Sequence, residues 1–171
     1  TSRSSIQEVM ANVQHIDILI NNAGISQSKD FLDITDEDWN QMMNTNLRGA
    51  FIFSQAVIPS MLKQNWGRII NITSIGGQWG GVNQVHYASS KAGLSGLTMS
   101  LARLYSGKGI TSNSVSPGII ETDMTSWIKD QEKNILTKDI PLGRFGLVEE
   151  VAEVVSFLAS NASGYITGQT I

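Results

Sequence analysis

Apolar residues fall in two rhythms along this chain. Residues 16–20, 67–72 and 110–115 are short runs of β-branched and aliphatic residues, each ending in a turn-forming cluster, which predicts strands. Between them the period lengthens. Trp39, Met42, Met43, Leu47, Ala50, Phe51, Ser54, Val57, Ile58 and Met61 recur close to every 3.6 residues, which predicts one long helix. Thr35 followed by Asp38 marks its start as a capping box. Residues 5–12 read as a helix end. Residues 85–105 read as a helix rich in small residues. Residues 148–160 read as an amphipathic helix with Val151, Val154, Val155 and Leu158 inward, and 165–171 as a last strand. Strands alternating with helices predict an α/β fold, a parallel sheet with helices on both faces. Residues 121–147 form the one long irregular segment expected, and a loop of that length in a compact domain is usually functional, often a lid.

Composition narrows the picture a little. At 171 residues the chain fits one domain, with 41% hydrophobic and 16% charged residues, as in ordinary globular proteins. A net charge of −3 gives no basis for nucleic-acid binding. There is no cysteine, hence no disulfide and no thiol chemistry, and His15 and His86 are too few for a metal site. No apolar run reaches membrane-spanning length.

The chemistry concentrates at Ser74 and at Tyr87-Ala88-Ser89-Ser90-Lys91. Tyr87 and Lys91 are four residues apart, so on a helix they share a face one turn apart. An ammonium beside a phenol favours the phenolate, which suits a tyrosine to proton transfer near neutral pH. A hydroxyl on a separate loop, as at Ser74, can polarise a carbonyl oxygen. Together these groups fit reduction of a ketone or oxidation of an alcohol with a nicotinamide carrying the hydride. Each has a plainer reading: a surface aromatic–lysine pair, and a turn serine, with Thr73 beside it as the alternative hydroxyl. Asn46 is a polar residue in an apolar helical stripe and must be hydrogen-bonded if buried.

Five motifs in order resemble the short-chain dehydrogenase/reductase family. They are Asn21-Asn22-Ala23-Gly24 after a strand, Asn44-Thr45-Asn46 in a helix, Ser74 thirteen residues before Tyr87, Tyr87-x-x-x-Lys91, and Pro117-Gly118-Ile119-Ile120-Glu121-Thr122 after the next strand. The resemblance implies a Rossmann-like sheet. It implies Tyr87 as general acid, Lys91 as its tuner and ribose ligand, Ser74 at the carbonyl, and Asn46 holding a water that links Lys91 to solvent. Asn22, Ala23 and Gly24 would line the adenosine side of the cofactor. Pro117, Gly118, the Ile120 backbone and the Thr122 hydroxyl would fix the nicotinamide. Read from position alone, Met124, Trp127, Ile128, Ile135 and Leu136 either are ordinary buried loop residues or cover an apolar substrate chain from a lid, and Gln84 and Trp79, between Ser74 and Tyr87, are candidates to line that pocket. The small residues Ala88, Ala92, Gly93 and Gly96 are expected to serve close packing.

Within the family, residues 117–124, 140–146, 157–160 and 165–169 most resemble bacterial 3-oxoacyl thioester reductases of fatty acid biosynthesis. Reduction of another small carbonyl (sugar, steroid or xenobiotic ketone) and a non-catalytic role as an interaction partner are the alternatives. The resemblance implies NADP, with NAD as the other choice, together with a homo-oligomer and cytoplasmic location. The glycine-rich turn that opens the family's fold has no counterpart here, so the chain is expected to be a single partial domain of a longer polypeptide, its first strands and glycine-rich loop absent. The apolar run 16–20 would then form a bare sheet edge prone to aggregation or swapping. The 171-residue chain alone is therefore expected to run as a mixture of species in size-exclusion chromatography. A monodisperse, cooperatively melting sample would contradict this.

Overall fold

A computed structural model describes residues 2–13, 15–126 and 128–171. Three strands, β1 (Ile18–Asn21), β2 (Gly67–Ile72) and β3 (Ile110–Val115), form a parallel sheet in the order β1-β2-β3. The register pairs Asn21 with Asn71 and Ile72 with Val115, so all three strands finish at the same edge. Parallel pairing needs long crossovers, and the helices supply them.

Alternation along each strand sorts the core into two layers. Ile69 points to one face, where it packs with Val57, Ile58 and Met61 of α3 (Gly49–Gln64), Leu101 of α5 (Val85–Tyr105) and Ile110. Ile16 and Leu19 also pack there, with Met10 of α1 (Arg3–Ala11). Ile70 points to the opposite face, onto Val115 and onto Leu158, Val151, Val154 and Val155 of α7 (Val148–Ala159). The two-faced α/β architecture expected from the sequence is the one present.

Three elements differ from expectation. The long helix after Thr35 is α2 (Asp36–Met43), a π-helical turn at Asn44–Arg48, and α3. The capping box is present, with Thr35 Oγ1 accepting from Asp38 N–H at 3.2 Å. Residues 165–171 form no strand. A parallel bridge joins Ser114 and Thr170: Ser114 N–H donates to Gln169 O at 2.8 Å, Ile171 N–H to Ser114 O at 3.0 Å and Gly168 N–H to Ser112 O at 2.7 Å, and β3 side chains add to these backbone bonds. Asn113 Nδ2 donates to Ile166 O at 2.8 Å, and Gln169 N–H donates to Asn113 Oδ1 at 3.1 Å. Gly168, at φ +73°, breaks the extended run between them. Residues 121–147 are not wholly irregular: α6 (Asp130–Leu136) sits inside, with Asp130 and Glu132 favourably placed in its first turn. A parallel backbone pair closes the neck of this segment, with Gly146 N–H on Ile119 O and Glu121 N–H on Gly146 O, both at 2.9 Å. Below the neck, Arg144 grips Glu150 with two hydrogen bonds of 2.8 and 2.6 Å. A short helix α4 (Gly76–Trp79), hidden in sequence by its glycines, follows β2.

Arg68 is buried with no carboxylate paired to it among the described residues. Its guanidinium stacks on Trp66 and donates to Ser160 O, at the C-terminal end of α7, where the helix dipole favours a cation. Burial still lowers its pKa. Gly109 holds the start of β3 at φ +77°, and a Cβ there would lie 1.9 Å from Asn65 O.

The outer strand β1 pairs only with β2 among the described residues, leaving Ile18 and Ile20 41% and 46% exposed. A buried amide ladder pins it: Asn21 Nδ2 donates to Asn71 Oδ1, and Asn71 Nδ2 to Thr98 Oγ1, both at 2.8 Å. Replacing fully buried Asn71 by Leu strands the Asn21 donor and should cost about 1–3 kcal/mol of stability. A urea-unfolding midpoint unchanged from the parent chain would contradict this.

Candidate active site

Because the strands end together, the loops after β1, β2 and β3 meet in one crevice at their C-terminal edge, the usual ligand position in open α/β sheets. Asn22 to Gly24 come from the first, Thr73 and Ser74 from the second, and Ser116 to Gly118 from the third. Ile75 N–H donates to Pro117 O at 3.1 Å and ties the last two.

Of the two candidate hydroxyls, Thr73 is committed to the sheet. Its N–H and Oγ1 both donate to Val115 O, at 2.8 and 3.0 Å, and it is buried. Ser74 Oγ instead accepts from Gly76 N–H at 3.1 Å and keeps its own proton for a ligand. Ser74 Oγ and Tyr87 Cε1 lie 3.5 and 3.8 Å from the point where a Cβ on Gly76 would sit. The structure thus brings the loop serine and the helix tyrosine to within 4 Å of one point beside Gly76. Gly77 makes this possible: a Cβ there would lie 2.9 Å from Ala92 N and the Lys91 carbonyl carbon, so only glycine lets α4 lie against α5.

Lys91 lies behind Tyr87, its Nζ 5.8 Å from the phenol ring centroid. It is 5% exposed and gives one of its three N–H donors to Ile72 O at 2.8 Å. Burial pulls its pKa down to about 8. Gly24 comes close to it: a Cβ on Gly24 would lie 3.3 Å from Lys91 Nζ and 3.4 Å from Asn46 Oδ1.

Asn46 sits on the π-helical turn and is fully buried. Its Oδ1 accepts from Ile25 N–H at 2.8 Å, and its Nδ2 donates to Ile25 O and to Ser90 Oγ, both at 3.0 Å. Ser90 Oγ in turn donates to Tyr87 O at 2.7 Å. The amide therefore clasps the loop after β1 to the helix that carries Tyr87. This is the structural amide weighed from the sequence.

Other expected residues are placed less directly. Asn22 and Ala23 line a cavity of about 230 Å³ with Thr45, Gly49 and Phe53, beside the open edge of β1. Thr125 Oγ1 occupies Ile120 O at 2.7 Å, and Thr122 is exposed. Gln84 Nε2 donates to Ser26 Oγ at 3.3 Å, so its amide is held by the first loop. Trp79, Met124 and Ile135 are exposed at 81%, 48% and 64%. Trp127 lies outside the described residues. Gly93 packs closely, its Cβ position 2.7 Å from Leu47 Cδ2, whereas Gly96 faces open space and Ala92 is exposed. Sequence reasoning missed Ile72, Ile25, Ser90 and Gln27. The first two act through backbone atoms, and the others carry no recognisable spacing.

Over residues 1–171 the chain matches the family model described as Enoyl-(Acyl carrier protein) reductase. The 3-oxoacyl-(acyl-carrier-protein) reductase FabG of Aquifex aeolicus is 47% identical over 167 residues, covering 98% of this chain and 67% of the relative. FabG of Escherichia coli is 44% identical over 168 residues, covering 98% and 69%. Two crystal structures superpose closely. A putative gluconate dehydrogenase from Agrobacterium tumefaciens has a TM-score of 0.97 at 30% identity, covering 99% of this chain and 70% of that one. A gluconate 5-dehydrogenase from Burkholderia cenocepacia, in complex with NADP and tartrate, has a TM-score of 0.92 at 35% identity, covering 99% and 67%. The chain belongs to the short-chain dehydrogenase/reductase family, a family of NAD(P)-dependent oxidoreductases.

The Lys91 shift carries a signature in stability. Below about pH 8 both folded and unfolded chains hold this proton; between about 8 and 10.5 only the unfolded chain does. Raising the pH through that window therefore stabilises the fold through Lys91, by at most about 1.4 kcal/mol per pH unit. Lys91→Met should lack this contribution when unfolding free energies of the two chains are compared from pH 7.5 to 10.5. Parallel pH curves for the two would contradict it.

Proposed function

We propose that this chain carries the catalytic groups of an NADP-dependent reductase that converts a 3-oxoacyl thioester to the 3-hydroxyacyl thioester. The observation that supports it most is the convergence of Ser74 Oγ and the Tyr87 ring on the space beside Gly76, with the Lys91 ammonium behind. The substrate class rests on the names of relatives 43–47% identical to this chain, and the nucleotide on the NADP complex of the Burkholderia dehydrogenase.

The residues present fit a nucleotide. Lys91 keeps N–H donors beyond its bond to Ile72 O, the Ser116 hydroxyl is buried without a partner in the same crevice, and Asn22 and Ala23 border a cavity. In this reading Asn22, Ala23 and Gly24 hold the adenosine side, Lys91 the ribose, and Pro117, Gly118, Ile120 and Thr122 the nicotinamide. When bound, the reduced nucleotide supplies the hydride.

The rest of the chemistry belongs to the chain. The Ser74 hydroxyl donates to the carbonyl oxygen of the substrate, which draws charge onto that oxygen. Tyr87 delivers its phenolic proton to the same oxygen as the carbon–oxygen π pair settles there, yielding the alcohol. The Lys91 charge offsets the phenolate left behind, and Asn46 holds the Ile25 loop beside it. Gln84 borders the substrate side through Ser26.

The gluconate dehydrogenases favour a second reading, oxidation or reduction of a small hydroxylated substrate at the same groups. We further read the 171 residues as one partial domain, part of a cytoplasmic homo-oligomer. Phe51 of α3 and Met99 and Leu104 of α5, 39%, 50% and 62% exposed, support an assembly surface. Among the described residues no helix is long and apolar enough to cross a membrane, and the net charge of −3 offers nothing to a nucleic acid.

Acetoacetyl thioester and NADPH are the assay. Tyr87→Phe should lower kcat by about 10²–10⁴-fold, and Ser74→Ala by about 10²–10³-fold. Turnover undiminished in Tyr87→Phe would overturn the mechanism. Faster turnover of 5-ketogluconate than of the thioester would favour the second reading.

A further inference from the structure

His86 immediately precedes Tyr87 and is completely buried. One ring nitrogen, Nε2, lies 2.8 Å from Gln27 Oε1, while Nδ1 has no partner. Its neighbours decide which nitrogen carries the proton. Asp38 Oδ2 receives Lys29 Nζ at 2.5 Å, the Thr35 N–H at 3.0 Å and the Thr35 hydroxyl at 3.1 Å. Asp38 Oδ1 receives Gln27 Nε2 at 3.0 Å. The Lys29 ammonium first, then the Thr35 N–H and the Gln27 amide, hold the Asp38 carboxyl far below the ordinary carboxylate range. An ionised carboxylate only accepts, so Gln27 must turn its NH₂ toward Asp38 and its carbonyl toward His86. A carbonyl also only accepts, so His86 Nε2 bears the proton. The opposite tautomer would set two lone pairs against each other at 2.8 Å.

The same loop is stitched to the start of α5 at further points. Lys29 N–H donates to Asn83 O at 2.7 Å, Gln84 reaches Ser26, and Asn46 links Ile25 to Ser90. His86 and Ser90 therefore brace Tyr87 from one residue before it and three after. Ser90 acts through Asn46, and His86 through Gln27.

We propose that His86 is a positioning residue for Tyr87. A relay from Asp38 through Gln27 locks its ring with the proton on Nε2 and fixes the first turn of α5 against the loop that follows β1. The catalytic consequence rests on Tyr87 as proton donor; the relay itself does not.

Long-range ¹H–¹⁵N spectra of the histidine-labelled 171-residue chain read the relay directly. His86 should show the Nε2–H pattern, and Gln27→Met should abolish it. An Nδ1–H pattern in the parent chain overturns the proposal. The nuclear Overhauser contact between the Tyr87 Hε and Gly76 Hα protons reads the positioning. It should weaken in Gln27→Met and His86→Phe, return in His86→Gln, which restores a donor, and leave contacts between β2 and β3 unchanged. A contact that persists in both disrupting variants overturns the role, as does loss of the β2–β3 contacts alongside it. Where turnover is measured, His86→Phe should lower kcat about tenfold with the nucleotide KM held. If Tyr87→Phe leaves turnover intact, the proton-donor reading fails, while the tautomer and the Tyr87 contact still decide the relay.

Discussion

Lys91 Nζ lies in the protein interior and donates to the last carbonyl of β2, and the surroundings of the site are organised around keeping that charge there. A buried ammonium is costly unless other groups compensate it. No carboxylate is paired with it among the described residues; a strand-end carbonyl and the face of Tyr87 take that place. The bond also fixes α5 to β2, so Tyr87 cannot slide along the sheet independently of Ser74. The residual positive field makes the crevice a place where negative charge is welcome, which suits both a nucleotide and a carbonyl oxygen gaining charge.

Around this charge the chain uses amides rather than further charges. Asn46 clasps Ile25, Asn71 bridges Asn21 and Thr98, and Gln27 links Asp38 to His86. An amide offers a donor and an acceptor on one planar group, so it can tie two elements together without the desolvation penalty of an ion pair. The π-helical turn at Asn44–Arg48 carries Asn46 inward. π-turns recur at functional sites because they interrupt the regular helical ladder.

The sequence made the layered fold legible because Ile69 and Ile70, or Val151 and Leu158, are placed by periodicities that burial enforces. It made the nearness of Ser74, Tyr87 and Lys91 legible because their spacing follows from one helix and one loop. What it hid depends on backbone conformation or on long-range pairing. The bridge at Thr170 looked like a strand because Tyr165, Ile166 and Ile171 are strand formers, yet Gly168 turns the chain, and among the described residues of this segment only 168–171 keep backbone bonds to β3 and Ser116 while Asn113 holds Ile166 and Gln169. Helix α6 was invisible because its seven residues leave none buried to mark a face. The pairing of His86 with Gln27 spans 59 positions and leaves no local trace.

The backbone pair at Ile119 and Gly146 has a bearing on how such a protein diversifies. By closing the base of residues 121–145 it spares the sheet from depending on what the loop contains. Closure entropy grows only logarithmically with length, about 0.6 kcal/mol for each doubling. Insertions and exchanges beyond the neck can therefore accumulate over evolutionary time without disturbing the strands that carry the crevice.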